Sequence, residues 1–141
     1  MPMIKSESKA VWTDNLKDGE GHIESDSFHG VYSRASRFEG KEGTTPEELI
    51  ANAHAGCYSM ALAHELDEAG FAPVSVRSSA EVFFDPEALE ITKIELRTEA
   101  TVDGIDEQTF QDIARAAKEG CPVSKALAGT EIKLVSARLA S

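Results

Sequence analysis

The sequence has no run of about 20 apolar residues, so it offers no transmembrane helix. It also lacks the apolar stretch of a signal peptide, opening Met1-Pro2-Met3-Ile4-Lys5-Ser6-Glu7, and the expectation is a cytoplasmic protein. Positive charge is scarce: 14 Lys and Arg stand against 25 Asp and Glu, for a net charge of −11. Such a surface repels phosphate backbones and anionic lipid, so neither nucleic acid nor a membrane is expected as a partner. The plain reading of the acidity is solubility. Cysteine is scarcer still, with two in 141 residues, Cys57 and Cys121. In a reducing compartment a lone pair is more often catalytic, redox-active or inert than a structural staple. A chain of this length buries about two-thirds of its unfolded surface and needs no staple. No repeat, low-complexity tract or linker interrupts it, so one domain over residues 1–141 is expected.

What is present reads as alternating strands and helices. Ser8–Thr13, Gly21–Ser25 and Val31–Arg37 have the character of short strands, with a turn at Leu16–Gly19 and a loop over Phe38–Thr45. A helix start follows. Thr45 suits the N-cap, Pro46 the first helical position, and Glu48 completes a capping box. Apolar and small residues at Leu49, Ala53, Cys57, Met60 and Ala61 carry the helix to Leu66, and Gly70 stops it. Small residues on several sides predict a helix buried in the middle of the protein. Val74–Phe84 and Glu90–Val102 alternate as a hairpin around Asp85-Pro86. Asp106 caps a second helix to about Glu119. Cys121-Pro122 opens a short further helix to about Leu127, and Glu131–Leu139 is a closing strand. The order β-β-β-α-β-β-α-β, with mostly short connections, predicts an α+β fold with largely antiparallel sheets.

Two thiols compete for chemistry. Cys121 sits where a helix begins, and a helix N-terminus lowers a thiol's pKa; the plain alternative is a cysteine packed near a turn. Cys57 lies within the long helix, where a small buried hydrophobe is the plain alternative. Gly56 and nearby alanines let a substrate or another element approach Cys57, and His54 lies three residues earlier on roughly the same face. A Cys–His pair is half a metal site or a nucleophile with its base. No second ligand pair follows, since His22, His29 and His64 are scattered, so no metal is expected and His54 reads as a satisfied polar residue. Two thiols and a fixed cation suffice for another chemistry. One thiolate attacks a peroxide oxygen and becomes a sulfenic acid, and the other condenses with it to a disulfide. Arginine suits the cation because its fork stays charged, and a carboxylate can hold the fork in place. Arg37 and Glu47 are candidates, though spacing alone does not choose them over Arg34 or Glu48.

The run Arg37-Phe38-Glu39-Gly40, then Gly43-Thr44-Thr45-Pro46-Glu47-Glu48-Leu49-Ile50, then Ala53-His54-Ala55-Gly56-Cys57-Tyr58-Ser59-Met60-Ala61-Leu62, resembles the osmotically inducible protein C (OsmC) branch of the OsmC/organic hydroperoxide resistance (Ohr) family. Gly120-Cys121-Pro122-Val123-Ser124-Lys125-Ala126-Leu127 matches that family's second cysteine motif. The resemblance covers nearly the whole chain. It implies an intertwined α+β homodimer with sheets wrapped around central helices. It implies thiol-dependent reduction of organic hydroperoxides to alcohols in oxidative and osmotic stress defence, with weaker use of hydrogen peroxide. Cys57 falls on the peroxide-attacking position and Cys121 on the resolving one, which reverses the local ranking of the two. The family's arginine and glutamate fall on Arg37 and Glu47; in the Ohr branch the arginine comes from nearer the N-terminus. No cofactor is implied. The reductant is a dithiol, a lipoyl group in the Ohr branch.

The competing class is a stress-induced, non-enzymatic binding protein for hydrophobic small molecules. Some sequences of similar fold have lost one or both cysteines, whereas this chain keeps both, with Arg37 and Glu47. One geometric expectation follows. Ten helical residues separate Glu47 from Cys57 by about 15 Å along one axis, so a relay among Arg37, Glu47 and Cys57 is hard to build within one chain. An antiparallel second copy would supply Arg37 and Glu47 to the other chain's Cys57. The alternative is a helix that begins later, with Glu47 on a loop folded back in its own chain.

Overall fold

The computed structural model describes residues 1–140. Contacts divide the chain into two compact units, residues 1–49 and residues 50 onward. The first unit carries a meander of three antiparallel strands, β1 (Lys9–Thr13), β2 (Glu20–Glu24) and β3 (His29–Tyr32), in spatial order β1-β2-β3. Gly21 pairs with Trp12 on one side and Tyr32 on the other. The rings of those two residues meet with centroids 5.6 Å apart. A Cβ on Gly21 would fall 2.3 Å from the Tyr32 ring, so only glycine leaves room for the aromatic pair.

The strand expected to run to Arg37 stops at Tyr32, and Arg34–Phe38 form a short helix, α1. Ser33 explains the switch. Its hydroxyl accepts the Ser36 N–H at 3.0 Å while its own N–H donates to Ser36 Oγ at 2.9 Å, a reciprocal cap that ends the extended backbone. Gly43, at φ +122°, then lets the chain pass close to Ser36 and the Val31 carbonyl, where a Cβ would sit 2.9 Å from that oxygen.

The long helix α2 (Pro46–Glu68) starts where the sequence places it. Thr45 Oγ1 accepts the Glu48 N–H at 2.9 Å. Only half of the expected capping box forms, because the Glu48 carboxylate accepts the Thr44 hydroxyl at 2.8 Å instead of reaching back. From residue 50 onward α2 buries one stripe, His54, Tyr58, Leu62 and Leu66, at a spacing of one helical turn. Within the chain, the helix expected in the middle of the protein is covered on one side only: Ala53, Gly56 and Met60 are exposed, Met60 by 76%. Buried bulk lies on the 54–66 stripe, while the opposite side carries small residues that bury little surface of their own.

The second unit continues with β4 (Pro73–Asp85), β5 (Glu90–Val102), α3 (Glu107–Gly120), α4 (Pro122–Ala126) and β6 (Glu131–Leu139). Strand β5 is central, paired antiparallel with β4 and parallel with β6. The parallel pair departs from the short-turn expectation, because α3 and α4 intervene and return the chain to the end where β5 began. With three of the four described pairings antiparallel, the α+β class holds with one mixed sheet. On β5 the alternation is clean: Ile94, Leu96, Thr98 and Ala100 are buried. Leu96 and Ala100 join Tyr58, Leu62 and Leu66 of α2 and Phe110, Ala114, Ala117 and Cys121 in one core cluster. The Tyr58 hydroxyl donates to the Ala114 carbonyl at 3.0 Å, so its polar end is satisfied inside that core.

Phe110 is fully buried at the centre of this cluster. Phe110→Ala is expected to cost about 3–5 kcal/mol, read as a lower urea midpoint with an unchanged slope. A loss below about 1 kcal/mol would mean that the cluster does not carry the second unit.

Candidate redox site

The described residues bring the candidate side chains together as two pairs. In the first unit Arg37, on α1, meets Glu47, in the first turn of α2. The contact is a bidentate fork, with Arg37 Nε donating to Glu47 Oε1 at 2.9 Å and Nη2 to Oε2 at 2.8 Å. Glu47 is only 7% exposed. The Glu47 bond, opposed by burial and aided by Coulomb attraction, raises the Arg37 pKa, so the guanidinium is a fixed positive charge. Of the candidates that spacing left open, Arg37 and Glu47 are the two that pair with one another. Arg34 instead approaches Glu39 at 3.6 Å on the surface, and Glu48 is held by Thr44. Since Glu47 lies inside α2, the alternative of a helix that begins after Glu47 is not what forms.

In the second unit the two thiols meet. Cys57 is on α2 and half-buried; Cys121 is fully buried between α3 and α4. Pro122 accounts for the position of Cys121. A residue before proline avoids the helical region, and Cys121 is extended at φ −62°, ψ 122°. It therefore serves both helices. Its N–H donates to Ala117 O at 2.9 Å, and its carbonyl accepts the Lys125 N–H at 3.0 Å. The break sets the side chain in the core cluster against which Cys57 packs, and each thiol perturbs the other's ionisation.

The electrostatics of the two sulfurs differ. Burial opposes a thiolate at Cys121, but bonds from Cys57, from the Ser124 N–H and hydroxyl, and from the Val123 N–H outweigh it and lower the pKa. Burial, followed by the bond with Cys121, pushes the Cys57 thiol up, against a backbone bond from Val123. Two thiols in contact share one negative charge, and the surrounding donors place it on Cys121. Thiolate character thus favours Cys121, while access from outside favours Cys57.

His54 lies one turn before Cys57 and is fully buried. Its Nε2 is 2.7 Å from Ser124 Oγ, and its Nδ1 is buried with no partner. The expectation of a satisfied polar histidine is therefore met at one nitrogen only. Desolvation lowers its pKa, so the ring is neutral near pH 7. Ser124 escapes the sequence reading. The signal that could have found it is a symmetry of spacing: Ser124 lies three residues after Cys121 as His54 lies three before Cys57. Among the described residues no three His, Cys, Asp or Glu side chains come together as a metal cluster. None of their helices is long and apolar enough to cross a membrane.

Comparison with known proteins places the chain in a family. Residues 38–135 match the model of the OsmC-like protein family. The peroxiredoxin OsmC of Escherichia coli (strain K12) is 46% identical over 131 residues, 88% of this chain and 90% of that protein. The organic hydroperoxide resistance protein OhrB of Bacillus subtilis (strain 168) is 33% identical over 119 residues, 81% of this chain and 87% of that one. An OsmC-like protein of Mycoplasma pneumoniae has the same fold, with a TM-score of 0.76 at 15% identity over 97% of this chain and 99% of that one. The chain therefore belongs to the OsmC/Ohr family, in its OsmC branch.

His54 generates a prediction about stability. In the unfolded chain it titrates near pH 6.5, and burial holds the folded value below that. The unfolded state then takes up the proton first, so folding stability falls as pH drops below about 6.5, by at most about 1.4 kcal/mol per pH unit. His54→Gln should remove this part of the slope in urea unfolding measured between pH 7 and pH 5. An unchanged slope would assign the acid sensitivity to other groups.

Proposed function

We propose that this chain is a thiol-dependent peroxidase that reduces organic hydroperoxides to alcohols in oxidative and osmotic stress defence. The observation that carries the reading is that Cys57 packs against the core cluster holding Cys121, two thiols distant in sequence, both free and each shifting the other's ionisation. It is supported by the names of the relatives, a peroxiredoxin and an organic hydroperoxide resistance protein. Cys57 is the attacking thiol because it is the one a peroxide can reach. Its thiolate takes the terminal peroxide oxygen, the O–O bond breaks, and the alkoxide leaves as the alcohol after gaining a proton. Cys121 then attacks the Cys57 sulfenic acid, the S–O bond breaks, and water and a Cys57–Cys121 disulfide result. A dithiol, lipoyl or otherwise, reduces that disulfide and becomes a disulfide itself.

The Arg37 fork supplies the charge that favours the Cys57 thiolate and the departing alkoxide, and Glu47 holds it rigid. The working form is a cytoplasmic homodimer of one OsmC-like domain per chain, with Arg37 and Glu47 of one copy serving Cys57 of the other. The exposed small-residue side of α2, at Ala53, Gly56 and Met60, supports a second copy there.

Turnover of cumene hydroperoxide with a dithiol tests the reading. Cys57→Ser is expected to abolish it, and Cys121→Ser to permit one turnover and then stall or over-oxidise. Cumene or tert-butyl hydroperoxide should be used more efficiently than hydrogen peroxide, since each buried methylene adds about 0.8 kcal/mol to binding. Full multi-turnover rates in Cys121→Ser would remove Cys121 from the cycle. No peroxide consumption by the unsubstituted chain would leave the non-enzymatic binding protein.

The shared site has its own test, in which inactive Arg37→Ala and Cys57→Ser variants are mixed under conditions of subunit exchange. Sites built across the dimer regain about one working site per heterodimer, because both lesions fall in the other site. Sites built within a chain regain none.

A further inference from the structure

The peroxidase reading leaves Ser124 and the buried imidazole of His54 without a role. Both are buried, at 6% and 0% exposure, and they tie α4 to α2 directly beside the two thiols. Ser124 Oγ lies 2.7 Å from His54 Nε2, and its hydroxyl also acts on the ionisation of Cys121, three residues before it at the start of α4. A serine hydroxyl has one proton, so it can donate to only one of them. The polarity follows from the far side of the ring. Nδ1 has no partner, and a buried orphan N–H is rarer than a buried orphan acceptor. The neutral ring therefore keeps its proton on Nε2 and donates it to Ser124, leaving an unpaired lone pair at Nδ1. Ser124 then has its own proton free for Cys121.

We infer that His54 and Ser124 form a directed hydrogen-bond relay for the resolving thiol: His54 Nε2–H donates to Ser124 Oγ, and this turns the Ser124 hydroxyl onto the Cys121 sulfur and holds it as the thiolate that attacks the Cys57 sulfenic acid. The inference rests on the peroxidase reading and deepens it. Ser124 touches a reacting atom; His54 is a positioning residue that acts through Ser124. No proton leaves the relay during the step. The Cys121 lone pair forms the S–S bond, the S–O bond at Cys57 breaks, and the departing hydroxide becomes water with the proton that Cys121 gave up on ionising. The imidazole serves by staying neutral, since it donates without bringing a buried charge. The direction of the Cys121 pKa agrees, with the Ser124 hydroxyl among the groups that lower it. The other titratable groups acting on this sulfur are Cys57 and the Tyr58 phenol, whose hydroxyl is committed to the Ala114 carbonyl.

The test separates the two chemical steps in the full-length protein. After one equivalent of cumene hydroperoxide, alcohol release reports the attack by Cys57. Dimedone labelling against disulfide formation reports resolution by Cys121. Ser124→Ala and His54→Leu are expected not to slow the release of the first alcohol, since charge lost from Cys121 passes to Cys57, and to slow disulfide formation about tenfold or more, with labelled sulfenic acid accumulating. Ser124→Thr, which keeps the hydroxyl, and His54→Gln, which keeps a donor near Nε2, should restore resolution. Resolution at the unsubstituted rate in Ser124→Ala would overturn the relay. So would equal slowing of both steps, or a His54→Gln as slow as His54→Leu, either of which marks a merely structural contact. If His54→Leu does not fold, the Ser124 pair carries the same decision. If the unsubstituted protein forms no sulfenic acid, the peroxidase reading fails, and the relay is judged without peroxide. In Cys57→Ser, ultraviolet titration of Cys121 should shift to higher pH on adding Ser124→Ala, and an unshifted titration overturns the relay.

Discussion

Pro122 forbids a helical conformation at the residue before it, and most of the thiol site depends on that constraint. Without it α3 would run on, and Cys121 would take a helical position instead of capping two helices at once. The extended backbone at Cys121 closes α3 through Ala117 and opens α4 through Lys125. It also leaves the sulfur at the start of α4, where the Val123 and Ser124 N–H groups and the Ser124 hydroxyl favour its ionised form. The half-buried Cys57 comes from the middle of a helix that exposes its small-residue side, so the reachable thiol and the charge-stabilised thiol are different residues. A two-step cycle needs this separation. The first thiol must be open to substrate, and the second must be shielded from it yet ready to ionise.

The Arg37–Glu47 fork follows a different logic. Glu47 is nearly buried, and both of its oxygens are occupied by one guanidinium. Removing Arg37 would leave a carboxylate with its compensation gone, so the pair is held together by desolvation as much as by attraction. The loop that brings α1 to the start of α2 is shaped by the Ser33–Ser36 cap and by the passage of Gly43 beside Ser36. The Arg37 guanidinium thus depends on a local turn whose parts lie within about a dozen residues.

Legibility in the sequence tracked how local each cause is. The start of α2 was readable because Thr45-Pro46 acts within one turn, and the hairpin of β4 and β5 because alternation is a nearest-neighbour pattern. The strand predicted through Arg37 failed because Ser33 and Ser36 bond to one another, a side-chain choice that alternation does not encode. Which side of α2 is covered was not readable, because small residues surround the helix and only tertiary contact decides it. Arg37 and Glu47 were separable from Arg34 and Glu48 by resemblance alone; the fork geometry shows the physical difference. His54 with Ser124 was missed, since it joins residues 70 apart and only a symmetry of spacing about the two cysteines marks it.

The central claim is that Cys57 and Cys121 of one chain are the two ends of a single redox couple. Peptide mapping tests it most directly, after one equivalent of cumene hydroperoxide is added to the reduced protein and free thiols are alkylated. The account predicts one equivalent of alcohol, loss of both free thiols, and a peptide joining Cys57 to Cys121 with no disulfide between chains. Both thiols still free and the peroxide unconsumed, or a disulfide linking two chains instead, would contradict it.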